Sequence, residues 1–449
     1  MSAPRALTID PRTCDRLVRR AQCQHPKKLF GYLLGVRSAD EVDDLVCFEE
    51  NARNCPEWRP GFEAYGRYFV DHDDAGFVAT PEESWRVQQE IWSRGATEVA
   101  VFHTHQRHPA NFSRVDYEAH LKQFVDLGHL VVSLRNPHYP RLRAFSVSSA
   151  GVNELALAPR RCSRPPRSTT DVPHLFAQFA TAGIGGLTPT EIGDLASCIA
   201  RPGQANGAAA APELRGGELE RYQDLVAPRM TEVADATFVM GTDAVHRAHF
   251  CGETPSHRVR LSPFAISQVP VTNELYAVFD ESHTYDPAQR LWPAVGVSWE
   301  EAVLCGLWFG CRLPSEAEWE YACGTGRHDQ WAVAEERELG RLAWYSENSA
   351  GVLRDVGTRE PNNLGLYDLH GQVWEWCADD YDPSYYAHAP DVDPRCILAD
   401  GWGKICRGGS IHALAEMCRT RYRQYEPADF RAPDLGFRLA RTTDGGGRG

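Results

Sequence analysis

Phe102-His-Thr-His-Gln-Arg-His-Pro-Ala-Asn-Phe-Ser-Arg-Val-Asp116 is the stretch on which the reading of the first part of the chain turns. The apolar run before it, Val99-Ala-Val-Phe102, reads as a buried strand. On a strand, residues i and i+2 face the same side, so His103 and His105 project together. After a loop, apolar residues recur at 115, 121, 124 and 125, roughly a helical period, which puts Asp116 in the first turn of a helix. Two imidazoles and a carboxylate make a first shell for zinc and leave its fourth position open to water, as in a catalytic rather than a structural site. Ser113 and Asp116 also have the spacing of a capping box, with Asp in place of the usual Glu, and that role is compatible with metal binding.

Working outward, 449 residues call for two or three domains, and a hydrophobic content of 43% is enough for sizeable cores. A formal net charge of -14 argues against a nucleic-acid or membrane-surface protein. The amino terminus has no apolar signal-like run, and no stretch is long enough to span a bilayer, so a cytoplasmic location is expected. The 14 cysteines are scattered with no CxxC pair, so they form no zinc ribbon, and in a reducing compartment most should be free, buried thiols. The 12 Trp and 29 Pro concentrate towards the carboxy-terminal half and suggest a compact, loop-rich domain there.

Residues 1–160 read as α/β. Strands are expected at Leu29–Val36, Asp44–Phe48, Leu130–Leu134 and Leu142–Val147. Thr80-Pro81 with Glu83 marks a helix start, running to about Ser93. Residues 161–225 are linker-like, rich in Pro, Gly, Ala and Ser, with one short helix expected at Leu187–Ala200. A second domain is expected at 226–441, followed by a tail at 442–449.

His-x-His, seven residues, Ser, two residues, Asp resembles the signature of the JAMM (also MPN+ or JAB) zinc metalloproteases. The resemblance covers about the first 150 residues, including Gly31-Tyr-Leu-Leu-Gly35, Asn54 and Phe77-Val-Ala-Thr-Pro-Glu-Glu83. It implies an α/β, cytidine-deaminase-like fold, with His103, His105 and Asp116 binding zinc and Ser113 stabilising an oxyanion. It also implies hydrolysis of an amide or isopeptide bond at the end of a ubiquitin-like or sulfur-carrier protein. One departure is serious. The family places a general-base Glu three residues before the glycine of the GYLLG-like strand, and here that position is Lys28. An ammonium cannot take a proton from water and repels the metal. Either another acid substitutes, with Glu49 and Glu50 the nearest by sequence, or the domain binds zinc with little or no hydrolysis. The usual proline after the second His is replaced by Gln106.

The second half resembles the formylglycine-generating enzyme (sulfatase-modifying factor) family over about 210 residues. The resemblance rests on Phe238-Val-Met-Gly241, Pro270-Val-Thr-Asn273, Arg312-Leu-Pro-Ser-Glu-Ala-Glu-Trp-Glu-Tyr321, Gly365-Leu-Tyr-Asp-Leu-His-Gly-Gln-Val-Trp-Glu-Trp376, Arg407-Gly-Gly-Ser410 and Gly436-Phe-Arg438. It implies a C-type-lectin-like α+β fold. It also implies a structural calcium at the side chains of Asp368 and Glu375 and the carbonyls of Gly371 and Val373. The family holds Cu(I) between two cysteines after Arg-Gly-Gly-Ser, but here the first position is Ala413 and the second is Cys418. One cysteine cannot form that bis-thiolate site, so copper or iron chemistry of the usual kind is not expected. His412 lies beside the lost ligand, and a His412/Cys418 pair is the remaining redox-metal candidate. Three functions follow: a zinc-dependent isopeptidase or amidase; a binding module that has lost one catalytic residue in each domain; and an oxygen-using metalloenzyme in the second domain.

Overall fold

Asp10 accepts a hydrogen bond from the Thr13 N–H and Pro11 takes the first helical position, so a helix starts at once after a short opening strand. These are β1 (Ala6–Ile9) and α1 (Pro11–Gln24). The computed structural model describes residues 6–36, 41–124, 127–149, 151–158, 229–243, 252–326, 329–398 and 401–443. Two compact units are present, and each is taken by itself. The helix expected at 187–200 lies outside the described residues.

The first unit continues with β2 (Phe30–Gly35), β3 (Glu41–Val42), β4 (Asp44–Cys47), α2 (Arg59–Glu63), α3 (Arg67–Asp71), α4 (Pro81–Ser93) and β5 (Thr97–His105). It closes with α5 (Arg114–Gln123), β6 (Gly128–Ser133), β7 (Arg141–Ser148) and β8 (Gly151–Ala158). The eight strands form one mixed sheet in the order β3-β1-β8-β7-β6-β5-β2-β4. β3 and β4 stand at opposite ends of that order yet are separated only by Asp43, so the sheet curls until its two edges meet along the chain.

Alternation along β5 sorts its side chains. Phe102 joins the core that α1 covers through Cys14, Leu17 and Ala21. Its neighbours His103 and His105 therefore face the opposite side, where Phe112 and Tyr117 pack with Val131 and Phe145. The expected strands and the helix after Thr80 are present; β1, β8, α2 and α3, which sequence periodicity did not mark, are additions. α2 and α3 are five residues each, too short for a helical period to declare itself.

The second unit holds β9 (Met230–Val233), β10 (Ala236–Met240), β11 (His257–Leu261), β12 (Phe264–Ser267), α6 (Asn273–Phe279), α7 (Trp299–Trp308) and α8 (Glu316–Gly324). It ends with β13 (Trp374–Asp380), β14 (Lys404–Arg407), β15 (Gln424–Glu426), β16 (Leu435–Phe437) and β17 (Ala440–Thr442). Its strands form three small sheets, the largest in the order β15-β14-β13-β16. Ser298 and Ser315 start α7 and α8 with reciprocal capping boxes to Glu301 and Glu318. Among the described residues no helix is long and apolar enough to cross a membrane, and the described cysteines are free, Cys23 and Cys55 being the exposed ones.

Gly31 is where β2 meets both neighbours, paired with Cys47 on one side and Phe102 on the other. A Cβ there would lie 2.1 Å from the Val46 carbonyl oxygen and 2.7 Å from the Phe102 ring. Gly31→Ala is expected to destabilise the first unit by at least about 1–3 kcal/mol. The calorimetric transition of that unit in the full chain should shift down while that of the second unit stays in place.

Candidate metal centre

His103 and His105 end β5 and Asp116 is the third residue of α5, so a strand terminus and a helix start meet at the site. Ser113 caps α5. Its Oγ accepts the Asp116 N–H at 3.2 Å, and Asp116 Oδ2 accepts the Ser113 N–H at 3.0 Å and its hydroxyl at 2.6 Å. This capping box fixes the carboxylate as firmly as it fixes the helix. Asp116 Oδ1 lies 3.3 Å from His103 Nε2, Asp116 Oδ2 lies 3.4 Å from His105 Nε2, and the two imidazole Nε2 atoms are 2.9 Å apart. Ligands at ordinary zinc distances in tetrahedral geometry are separated by about 3.3 Å, so these three atoms fit the ion with small adjustment. Among the described residues this is the one group of three His, Cys, Asp or Glu whose ligand atoms converge in this way.

The rings are oriented from behind. His105 Nδ1 lies 2.9 Å from the Pro109 carbonyl oxygen and donates to it, which leaves the Nε2 lone pair facing Asp116. His103 Nδ1 lies 2.7 Å from His129 Nε2. Burial pushes the His103 imidazole well below its usual range, and nearby Lys28, His105 and His129 reinforce the shift against the pull of Asp116. Neutral imidazole is the metal-binding form. Burial works to raise the Asp116 carboxyl, but His103, His105 and Lys28 together outweigh it and hold the group ionised.

Lys28 immediately precedes the Leu29 N–H that donates to Thr104 Oγ1, so it stands beside the end of β5. Burial lowers its amine, while the charges of Asp116 and Asp74 work to raise it. The alternative acids are not brought in. Glu49 and Glu50 are exposed at the end of β4, and β2 stands between that strand and β5. Their proposed service as the base is corrected for this reason: their strand lies one position too far across the sheet. Gln106 replaces a proline by donating to the Lys27 carbonyl and Thr104 Oγ1, tying the chain before β2 to the end of β5.

Sequence reading missed the surroundings. Tyr68 packs on His108 and His72 at centroid distances of 4.5 and 4.6 Å, and Asp74 pairs with Arg107 at 2.7 Å. The 59–76 segment is thereby fastened to the loop after the histidines. It carries no motif, and long-range contact alone reveals it. His129 and His120 did carry a signal: a polar residue inside an apolar strand, and one helical turn beyond Asp116.

In the second unit the residues read as a calcium site have partners within the chain. Both oxygens of Glu375 accept from Arg438, at 2.6 and 2.7 Å, and Trp319 Nε1 donates to one of them at 2.7 Å. Arg438 and Glu375 are fully buried, so the guanidinium neutralises the carboxylate that a cation would need. Asp368 accepts the Gly357 N–H at 2.7 Å, and burial pushes its carboxyl up to about 6. Gly371 sits with φ +84°, where a side chain would strike the Trp344 carbonyl at 2.2 Å, and its N–H goes to Gly408. Val373 is core. These positions build a tight buried turn.

Positions 413 and 418 do converge. A Cβ on Gly409 would lie 2.6 Å from Cys418 Sγ and 3.2 Å from Ala413 Cβ. Cys418 is fully buried, and that burial pushes its thiol far up, away from the thiolate a soft metal needs. His412 packs against Gly351, and its backbone N–H donates to Ser410 Oγ.

Together the two units define a class: a JAB-type domain followed by a formylglycine-generating-enzyme-type domain of C-type-lectin-like fold. Residues 10–146 match the prokaryotic homologs of the JAB domain. Residues 217–443, half of the chain, match the sulfatase-modifying factor enzyme 1-like domain, and the chain belongs to that family. It is 32% identical over 262 residues to a formylglycine-generating enzyme of Streptomyces coelicolor, covering 43% of this chain and 82% of that protein. It is 28% identical to the inactive C-alpha-formylglycine-generating enzyme 2 of Mus musculus, over 47% of this chain and 85% of that one. Among solved structures, PvdO of Pseudomonas aeruginosa aligns at 26% identity and a TM-score of 0.43, over 48% of this chain and 94% of that one. A JAB1/MPN domain protein of Archaeoglobus fulgidus aligns at 15% and 0.20, over 34% and 98%.

Two outcomes follow. The full chain is expected to bind one zinc ion, and His103→Ala or Asp116→Ala to weaken binding by more than about a hundredfold, read by competition with a chromophoric chelator. Arg438→Met strands the Glu375 carboxylate and should cost the second unit about 3–5 kcal/mol in urea unfolding, with Arg438→Met/Glu375→Leu recovering most of it.

Proposed function

We propose that the first unit is a zinc-binding domain that receives the C-terminal tail of a ubiquitin-like or sulfur-carrier protein, with Lys28 turning it from fast hydrolysis to recognition. The observation that carries this reading is a complete ligand trio beside a lysine that stands where the general base is expected. Bound zinc would supply a Lewis acid for a carbonyl or carboxylate oxygen. His103, His105 and Asp116 would hold it, with Pro109 and His129 aiming the two rings.

Ser113 holds its hydroxyl proton against Asp116 and can turn it towards an incoming oxygen. Lys28 brings a positive charge that suits a terminal carboxylate, and as an ammonium it has no lone pair with which to take a proton from water. In the second unit the protonated Cys418 opposite Ala413 supports a docking or scaffolding role over oxidation of cysteine.

The isopeptidase reading keeps one observation in its favour: burial depresses the Lys28 amine, and a neutral amine is a base. One experiment separates the readings. Zinc-loaded full chain is titrated with a small carrier protein ending in Gly-Gly, and incubated with the same carrier extended by an amide-linked peptide. The expected outcome is binding of the free carrier, no cleavage by the wild type, and slow cleavage by Lys28→Glu that disappears in Lys28→Glu/His103→Ala. Wild-type cleavage that needs His103 establishes the isopeptidase instead, and absence of both binding and cleavage overturns the proposal.

A further inference from the structure

Behind His103, on the side away from the metal position, two more imidazoles stand in line. His103 Nδ1 is 2.7 Å from His129 Nε2, and His129 Nδ1 is 2.9 Å from His120 Nδ1. His129 lies on β6, two residues before Val131, the partner of His103 in the parallel pair. His120 lies on α5, one turn beyond Asp116. The three rings are 2%, 3% and 0% exposed. Phe112 meets His129 at 4.8 Å, and Phe112 and Phe124 lie 6.1 and 5.9 Å from His120, so the row ends in an apolar pocket.

A neutral imidazole has one N–H and one lone pair, so a row of three has two self-consistent arrangements. In the outward one, His103 Nδ1–H donates to His129 Nε2, His129 Nδ1–H donates to His120 Nδ1, and His120 keeps its proton on Nε2. In the inward one, His120 Nδ1–H donates to His129 Nδ1, His129 Nε2–H donates to His103 Nδ1, and His103 keeps its proton on Nε2. His103 Nε2 faces His105 Nε2 at 2.9 Å and Asp116 Oδ1 at 3.3 Å, contacts open to either arrangement. A metal ion on His103 Nε2 needs a lone pair there and admits only the outward one.

We propose that His129 and His120 are positioning residues of the metal site, and that a metal on His103 commits the row to its outward arrangement, so that occupancy is registered two rings away on α5. The inference rests on the zinc reading of His103, His105 and Asp116. Each ring is neutral in both arrangements.

The test uses full chain with 15N-labelled histidines and long-range proton–nitrogen correlation spectra, recorded with and without one equivalent of zinc. With zinc bound, His129 is expected as the Nδ1–H tautomer and His120 as the Nε2–H tautomer. His129→Phe should lower zinc affinity by about 10- to 100-fold, the usual effect of losing a ligand's hydrogen-bond partner, and His129→Gln should recover part of it. His120→Phe, which leaves the His103 bond in place, should lower it less. Circular dichroism confirms that each variant is folded; if His129→Phe is not, the tautomer of the zinc-bound wild type decides alone. Zinc binding by the wild type with His129 in the Nε2–H tautomer, or with undiminished affinity in folded His129→Phe, overturns this inference and leaves the zinc reading intact. A wild-type chain that takes up no zinc overturns both.

Discussion

Period-two alternation along β5 is the constraint on which the first unit depends. Phe102 and Thr104 are turned towards α1, so His103 and His105 must be turned towards α5. Two imidazoles in a buried layer are costly unless every ring nitrogen finds a partner. The Pro109 carbonyl, the row of His129 and His120, and the carboxylate of Asp116 meet that requirement. The candidate metal site and the solution to a burial problem are therefore the same set of contacts. The carboxylate has two roles: it completes the capping box that starts α5 and offers its oxygens to the imidazoles. Helix start and ligand geometry cannot drift apart, because one side chain holds both.

The second unit solves a different problem. Its sheets are small and its connections long, so few backbone ladders tie distant segments together. Buried arginine–carboxylate pairs do this instead. Arg438 reaches Glu375, Arg423 reaches Glu316, Arg407 reaches Glu320 and Arg419 reaches Glu253, each joining residues far apart in the chain. Bidentate guanidinium geometry specifies direction as well as attraction, which suits loops that lack a regular hydrogen-bond pattern. This explains why acidic residues that look like ion ligands in the sequence serve arginines in the fold. Glu375 is the clearest case: its nearest cation is supplied by the chain itself.

Both units keep their scaffold while one expected functional residue is exchanged. At Lys28 the exchange inverts the charge beside a candidate metal site whose three possible ligands converge. At Ala413 it removes one of two thiols, and the remaining Cys418 is buried so deeply that the neutral thiol is its stable form. Ala413 is buried, and the Leu29–Thr104 hydrogen bond ties the chain beside Lys28 to β5, which fits a protein that retains binding geometry while its chemistry is altered.

Much of the metal centre was legible in the sequence. A strand period places His103 with His105, and the Ser113–Asp116 spacing marks a helix start, because both are local rules reaching only a few residues. Domain class was equally legible, since runs such as Arg312–Tyr321 and Gly365–Trp376 are long and specific. Other features depended on tertiary structure. Strand order sets β2 between Glu49's strand and β5, and packing brings Arg438, 63 residues away, onto Glu375. His129 and His120 became partners of His103 only when β6 paired with β5 and α5 folded across them. The physical reason is range. Periodicity and capping act along the chain within one element, whereas the neutralisation of a buried charge or the orientation of a buried ring depends on whichever group packing brings within about 3 Å.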